Sequence, residues 1–190
     1  MSQSDLNLLK SSIVLSINYL QSIFREAERF TENSGNWNNV EQSLNTKLPD
    51  DYKKFTDTFG SVYIDEFIGV LNPFSSNPNL DLVAQAKIIL DDYRWLHEQG
   101  NEEPKYPYFP EKGGLLPFGT TDNGDVLFWK TAGQPNEWTV VVNAAREAEY
   151  DEFDENMTNF LSNILQGKLI STVFPNGFPS QSPTIEPIKS

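Results

Sequence analysis

Gly113-Gly114-Leu115-Leu116-Pro117-Phe118-Gly119-Thr120-Thr121-Asp122-Asn123-Gly124-Asp125-Val126-Leu127-Phe128-Trp129 is the stretch on which the reading of this chain turns. Two apolar runs, 115–118 and 126–129, flank a cluster of Gly, Thr, Asp and Asn, the pattern of two strands joined by a tight turn. Asn123-Gly124 predicts a type I′ turn, which needs positive φ at both central residues. Asp122 is placed to accept hydrogen bonds from the backbone ahead of it and fasten that turn. Pro117 has no N–H to give a ladder, which predicts a first strand that is short or at a sheet edge. The bulk of Leu116, Phe118, Phe128 and Trp129 marks the hairpin as the middle of the core.

The remaining 173 of the 190 residues must build around it. A chain of this length is one domain, or one domain with extensions, and folding buries roughly 70% of its unfolded surface. There is no cysteine, which excludes disulfides, zinc thiolates and a cysteine nucleophile. The first residues lack the basic and apolar regions of a signal peptide. No apolar run approaches the ~20 residues of a membrane span, so the expectation is a soluble, cytoplasmic protein without membrane contact. Net charge is −13, distributed as −2 over residues 1–60, −5 over 61–115, −7 over 116–166 and +1 over 167–190. Such a field repels phosphate backbones and speaks against direct nucleic-acid binding, while it speeds encounter with a basic protein.

Residues 5–33 predict one long helix, with Leu6, Leu9, Ile13, Ile17, Leu20, Phe24, Ala27 and Phe30 on one stripe. The stripe reads as a core face, with a homodimer seam as the alternative. Two short helices follow, one carrying Trp37, Val40 and Leu44. The other opens at Leu48-Pro49-Asp50-Asp51, buries Tyr52, Phe55 and Phe59, and stops at Gly60. Short strands are expected at 62–64 and 67–71. A helix over 80–99, capped by Asn79, is expected to bury Leu82, Val83, Ala86, Ile89, Leu90, Tyr93 and Leu96. The single histidine, His97, has a capping or surface role near its end. The aromatic loop 104–110 forms a binding lip or covers a sheet edge. Trp138 begins a clear strand to 143, and residues 154–166 form a helix before Gly167. The tail after Ser171, with a proline every fourth residue from 175 to 187, reads as extended or disordered, anchored at its start by Val173, Phe174 and Phe178. The division is an N-terminal helical extension over 1–35, a domain over 36–170 and a proline-rich tail over 171–190.

The motifs of enzymes are missing. No Gly-x-Ser-x-Gly elbow, phosphate-cradling glycine loop or paired-histidine metal spacing occurs. Asp122 to Asp125 lacks the distant glutamate of a calcium loop and reads as a turn. No catalytic residue, cofactor or metal is therefore expected. The one segment that suggests contact chemistry is 147–155, where Glu147, Glu149, Asp151, Glu152, Asp154 and Glu155 are interleaved with Tyr150 and Phe153. It reads either as a solvated loop leading into a helix or as a contact surface for a basic protein, with Tyr150 and Phe153 as anchors.

Several of these motifs fall in a known order. Trp37 with Val40, then Leu48, Pro49, Tyr52, Phe55 and Gly60, resembles the opening of the SUKH superfamily, named partly for the yeast Smi/Knr cell-wall regulators. Gly114, Leu116, Pro117, Phe118 and Gly119, then Asp122, Asn123, Gly124 and Asp125, then Phe128 and Trp129, are similar to its central signature. The strand from Trp138 and the helix with Phe160, Leu161 and Gly167 follow in the family's order. The resemblance covers residues 37–167 and implies an α+β fold, with a central, mostly antiparallel sheet and helices packed against it. It also implies a non-enzymatic role. Bacterial members are mostly immunity proteins that bind and neutralise a cognate toxin, often a nuclease, and fungal members are regulators working through protein contacts. The long N-terminal helix and the tail depart from the short form of the family, and the signature transfers no contact residues. The expectation is an immunity protein acting on a basic toxin, with an intracellular scaffold of the Smi/Knr type as the alternative and a small-molecule-binding domain as a third reading.

Overall fold

A computed structural model describes residues 3–25, 35–100 and 103–188, with side chains from Lys10 onward. Among the described residues, thirteen elements follow one another: α1 (Gln3–Ser22), α2 (Trp37–Leu44), α3 (Asp50–Phe59), β1 (Val62–Ile64), β2 (Ile68–Val70), α4 (Leu82–Gly100), β3 (Leu115–Thr121), β4 (Val126–Lys130), a 3-10 turn (Pro135–Glu137), β5 (Thr139–Asn143), β6 (Tyr150–Phe153), α5 (Met157–Leu165) and β7 (Ile185–Pro187). The strands form one antiparallel sheet in the order β6-β5-β4-β3-β2-β1-β7. The fold is α+β, with helices on an antiparallel sheet, as the family resemblance implies.

The hairpin lies at the centre, but not in the form expected of it. β3 is the middle strand of seven and has seven residues, so Pro117 sits neither in a short strand nor at an edge. A bulge accommodates it: Pro117 pairs with Phe128, Gly119 with Leu127, and Phe118 is the extra residue between them. Gly119 also permits close approach of β2, since a Cβ there would stand 3.0 Å from the Gly69 carbonyl oxygen. The turn is not type I′. Gly124 N–H donates to the Thr121 carbonyl at 2.9 Å, and of the residues in the turn only Gly124, at φ +88°, is left-handed. This is a turn over Asp122 and Asn123 followed by a left-handed glycine, the three-residue hairpin solution. Asp125 fastens it instead of Asp122. Buried Asp125 accepts from the Thr121 hydroxyl at 2.7 Å and from the Ala145 amide at 3.0 Å, joining the turn to the end of β5.

Alternation along the strands makes two apolar clusters. The larger holds Leu116, Phe118, Leu127, Trp129, Val140 and Val142, covered by Tyr52 and Phe55 of α3 and by Met157, Phe160, Leu161 and Ile164 of α5. Trp129 is 1% exposed, with ring centroids of Tyr52 at 4.9 Å and Phe118 at 5.0 Å. The smaller cluster joins Leu115, Val126, Phe128 and Val141 to Tyr106, with Ile89, Tyr93 and Tyr150 against it.

α1 ends at Ser22, well before the expected 33. Phe24 makes a parallel bridge to Ile185 instead, and the Arg25 amide donates to the Ile185 carbonyl at 2.8 Å. The expected helical positions 26–33 lie outside the described residues. Ile17 and Leu20 enter the larger cluster, and Ser16 donates to Asn159 of α5 at 2.6 Å. The tail is extended and ends as β7 on β1, while Phe174 and Phe178 pack on Phe67.

Candidate functional site

Only part of the acidic segment is a loop. Residues 150–153 are β6, the outermost strand beyond β5, so their side chains alternate between the two faces of the sheet. Tyr150 and Glu152 lie on the side of the smaller cluster. Half-buried Tyr150 stands 5.3 Å from the Tyr106 ring, and burial pushes its hydroxyl pKa up. Glu152 meets Lys130 at 3.0 Å and Lys105 at 3.4 Å. The Tyr106 hydroxyl and these ammonium groups hold its carboxyl down at about 2. Asp151 and Phe153 lie on the other side. Phe153 packs on Phe160 at 4.9 Å, against the larger cluster. Burial works against the charge of Asp151, but the Ser171 and Thr172 hydroxyls and the Thr172 and Val173 amides outweigh it and lower its pKa.

Glu147 and Glu149 differ from these. Both are exposed in the connection from β5 to β6. The Glu147 carboxylate has no ion pair or hydrogen bond among the described residues, and that of Glu149 meets only the Thr172 hydroxyl, at 3.3 Å. Their main chain is held rigidly: Asn143 Nδ2 donates to the Glu147 carbonyl at 3.0 Å and to the Glu149 carbonyl at 2.8 Å. Asn143 in turn accepts from the Tyr93 hydroxyl of α4. One residue thus ties the acidic connection to α4.

α4 starts at Leu82, and its cap is Asp81 rather than Asn79: the Ala84 amide donates to the Asp81 carboxylate at 2.6 Å. Its buried stripe is Leu82, Ala86 and Leu90, with Ile89 and Tyr93 on the smaller cluster. Leu96, expected inside, is 49% exposed although it shares a helix face with Ile89 and Tyr93. His97 is half-buried, with Nδ1 2.6 Å from the Tyr108 hydroxyl. Tyr106 of the aromatic loop is buried in the smaller cluster and Phe109 in the larger one, so neither forms a lip. Ile88, 51% exposed, and Trp95, 60% exposed, escape the sequence reading altogether. Their spacing of seven, opposite the 82-86-90 stripe, is the signal that could have found them.

The buried ionisable groups are structural. Glu41 is enclosed between Lys47 and Lys53 and accepts from the Leu48 amide at 3.1 Å; burial opposes its charge, yet these partners bring its pKa down to about 2. Asp51, 2% exposed, accepts from the Thr158 amide in the first turn of α5 at 2.9 Å, and burial raises its pKa. The signature residues Leu48, Tyr52, Leu116, Phe118, Phe128, Trp129 and Trp138 are all buried. Among the described residues, no group of three or more His, Asp or Glu side chains could hold a metal ion, and no helix is long and apolar enough to cross a membrane.

The comparisons with known proteins agree with this architecture. A family model described as SMI1-KNR4 cell-wall, SUKH_6, matches residues 34–161, about two thirds of the chain. No curated protein and no solved structure matches it. The chain belongs to the SUKH family, which covers both immunity proteins and Smi/Knr-like proteins.

Proposed function

We propose that this SUKH-family chain is a non-enzymatic immunity protein of the cytoplasm, which binds a cognate bacterial toxin and occludes its active site. The observation that carries the reading is the charge of residues 116–166, −7, within a family of protein-binding domains. Toxins that cut nucleic acid need basic clefts for phosphate, and an acidic protein fits such a cleft. Within the acidic segment, Glu147 and Glu149 are the residues proposed to steer the toxin. Asp151 and Glu152 add to the field while their oxygens are held by partners of this chain, and Tyr150 and Phe153 are proposed as supports of the contact edge.

The family description, with its cell-wall regulators, favours a second reading: a scaffold that gathers several intracellular proteins. Co-expression separates the two. Cells making the protein encoded by the adjacent gene should die without this chain and survive with it, and the two should purify as a complex. Equal survival with and without the chain contradicts immunity, and recovery of several signalling proteins supports the scaffold.

A further inference from the structure

Among the described residues, the outward side of α4 carries two large exposed apolar side chains on one helix face. Ile88 and Trp95 are seven positions apart, two helical turns, and both lie opposite the buried 82-86-90 stripe. A tryptophan that is 60% exposed on a regular helix leaves most of its apolar area unused by the fold. Asp92 lies on the same outward side, exposed and with no ion pair or hydrogen bond among the described residues.

The cations of this helix are occupied. Lys87 pairs with Asp91 at 2.6 Å, and Arg94 turns back to Asp91 at 3.0 Å and over the Tyr108 ring at 5.2 Å. Residues 91–103 contain five carboxylates and a single arginine, and the last turn of the helix adds the negative end of its dipole. An apolar stripe beside free negative charge selects its occupant. A second copy of this chain, at −13, would bring like charge against like. A basic protein would place apolar groups on Ile88, a lysine or arginine over the Trp95 ring and another against Asp92.

We propose that the outward face of α4, with Ile88 and Trp95 as anchors and Asp92 at its border, is the docking surface for a basic protein partner. The proposal rests on the inhibitor reading and names the surface it would use. Through Tyr93 and Asn143, this helix is tied to the connection that carries Glu147 and Glu149, so steering charges and anchor belong to one rigid unit.

Selection of random 20-residue displayed peptides on the full chain tests the surface without the toxin. The expected outcome is enrichment of peptides combining lysine or arginine with apolar residues. Their affinity should fall about tenfold or more on Trp95→Ala and several-fold on Asp92→Asn. Ile88→Ser provides a second variant, and unchanged melting curves for all three keep folding out of the result. Peptides that bind Trp95→Ala as tightly as the wild type, peptides without basic residues, or no enrichment at all would overturn the proposal. So would sedimentation showing a dimer that Trp95→Ala disperses, since the occupant would then be a second copy. Failure of protection in the co-expression experiment, with basic peptides still lost on Trp95→Ala, counts against immunity and leaves the surface standing.

Discussion

Trp129 and Trp95 define two regions with opposite uses for the same side chain. Trp129 is 1% exposed and meets Tyr52, Phe118 and Trp138 edge-on or tilted within 4.9 to 6.1 Å. Trp95 is 60% exposed on a helix whose inner stripe already satisfies the core. The bulky residues of the family signature, Leu48, Tyr52, Leu116, Phe118, Phe128, Trp129 and Trp138, fall in the first region, where they are buried. The proposed recognition residues, Ile88, Asp92, Trp95, Glu147 and Glu149, lie outside the signature.

The sharpest test of that contrast is a pair of substitutions. Trp129→Ala should destabilise the protein by about 3–5 kcal/mol through lost burial and a residual cavity. Trp95→Ala should stay within about 0.5 kcal/mol. Chemical denaturation of both variants measures the difference, and equal losses would erase the distinction between the regions.

Asp125 and Asp122 sharpen it at the level of the turn. Asp125→Ala removes the acceptor for the Thr121 hydroxyl and the Ala145 amide and should cost about 1–3 kcal/mol. The exposed Asp122→Ala should cost no more than about 0.5 kcal/mol. Urea midpoints of the two variants check the order. A larger loss at Asp122 would return the fastening role to it.

A smaller and pH-dependent effect comes from Glu41. Its carboxyl titrates near 2 in the folded protein against an ordinary 4.5, so its contribution is complete above about 4.5 and is lost as pH falls from there toward 2. Glu152 follows the same course, but its exposure to solvent weakens the effect. Asp51, with a raised pKa, works in the opposite direction, gaining stability as it takes up its proton. Melting temperatures between pH 6 and pH 3 should therefore fall less steeply for Glu41→Gln than for the wild type. Parallel slopes would assign the acid sensitivity elsewhere.

The core was legible where residue type and period agree. Trp138-Thr-Val-Val-Val predicts β5, and Tyr52, Phe55 and Phe59 predict the buried face of α3, because branched and aromatic residues at those spacings have few other uses. The hairpin was legible as a hairpin but not in its geometry. A proline argues for an edge unless a bulge absorbs it, and nothing in Leu116-Pro117-Phe118 announces the bulge. Asn-Gly favours two left-handed residues, yet Asp125 and Ala145 select a turn with one. β6 was obscured because four of its neighbours in sequence are acidic, and its strand character comes from pairing with β5 rather than from its own propensity. β7 is likewise made by β1 and Phe24. Trp95 is not legible as a contact residue because the period of a helix marks its buried stripe and leaves the other positions to water.

The most direct test of the account is stopped-flow binding between this chain and the cognate toxin proposed for it, at two salt concentrations. Exchanging Glu147 and Glu149 for glutamine should slow association and reduce its dependence on salt, since steering charges act before contact. Trp95→Ala should leave association nearly unchanged and speed dissociation about tenfold or more, as loss of a buried anchor does. Wild-type rates in all these variants would contradict the claim that recognition lies on the outward acidic and aromatic face.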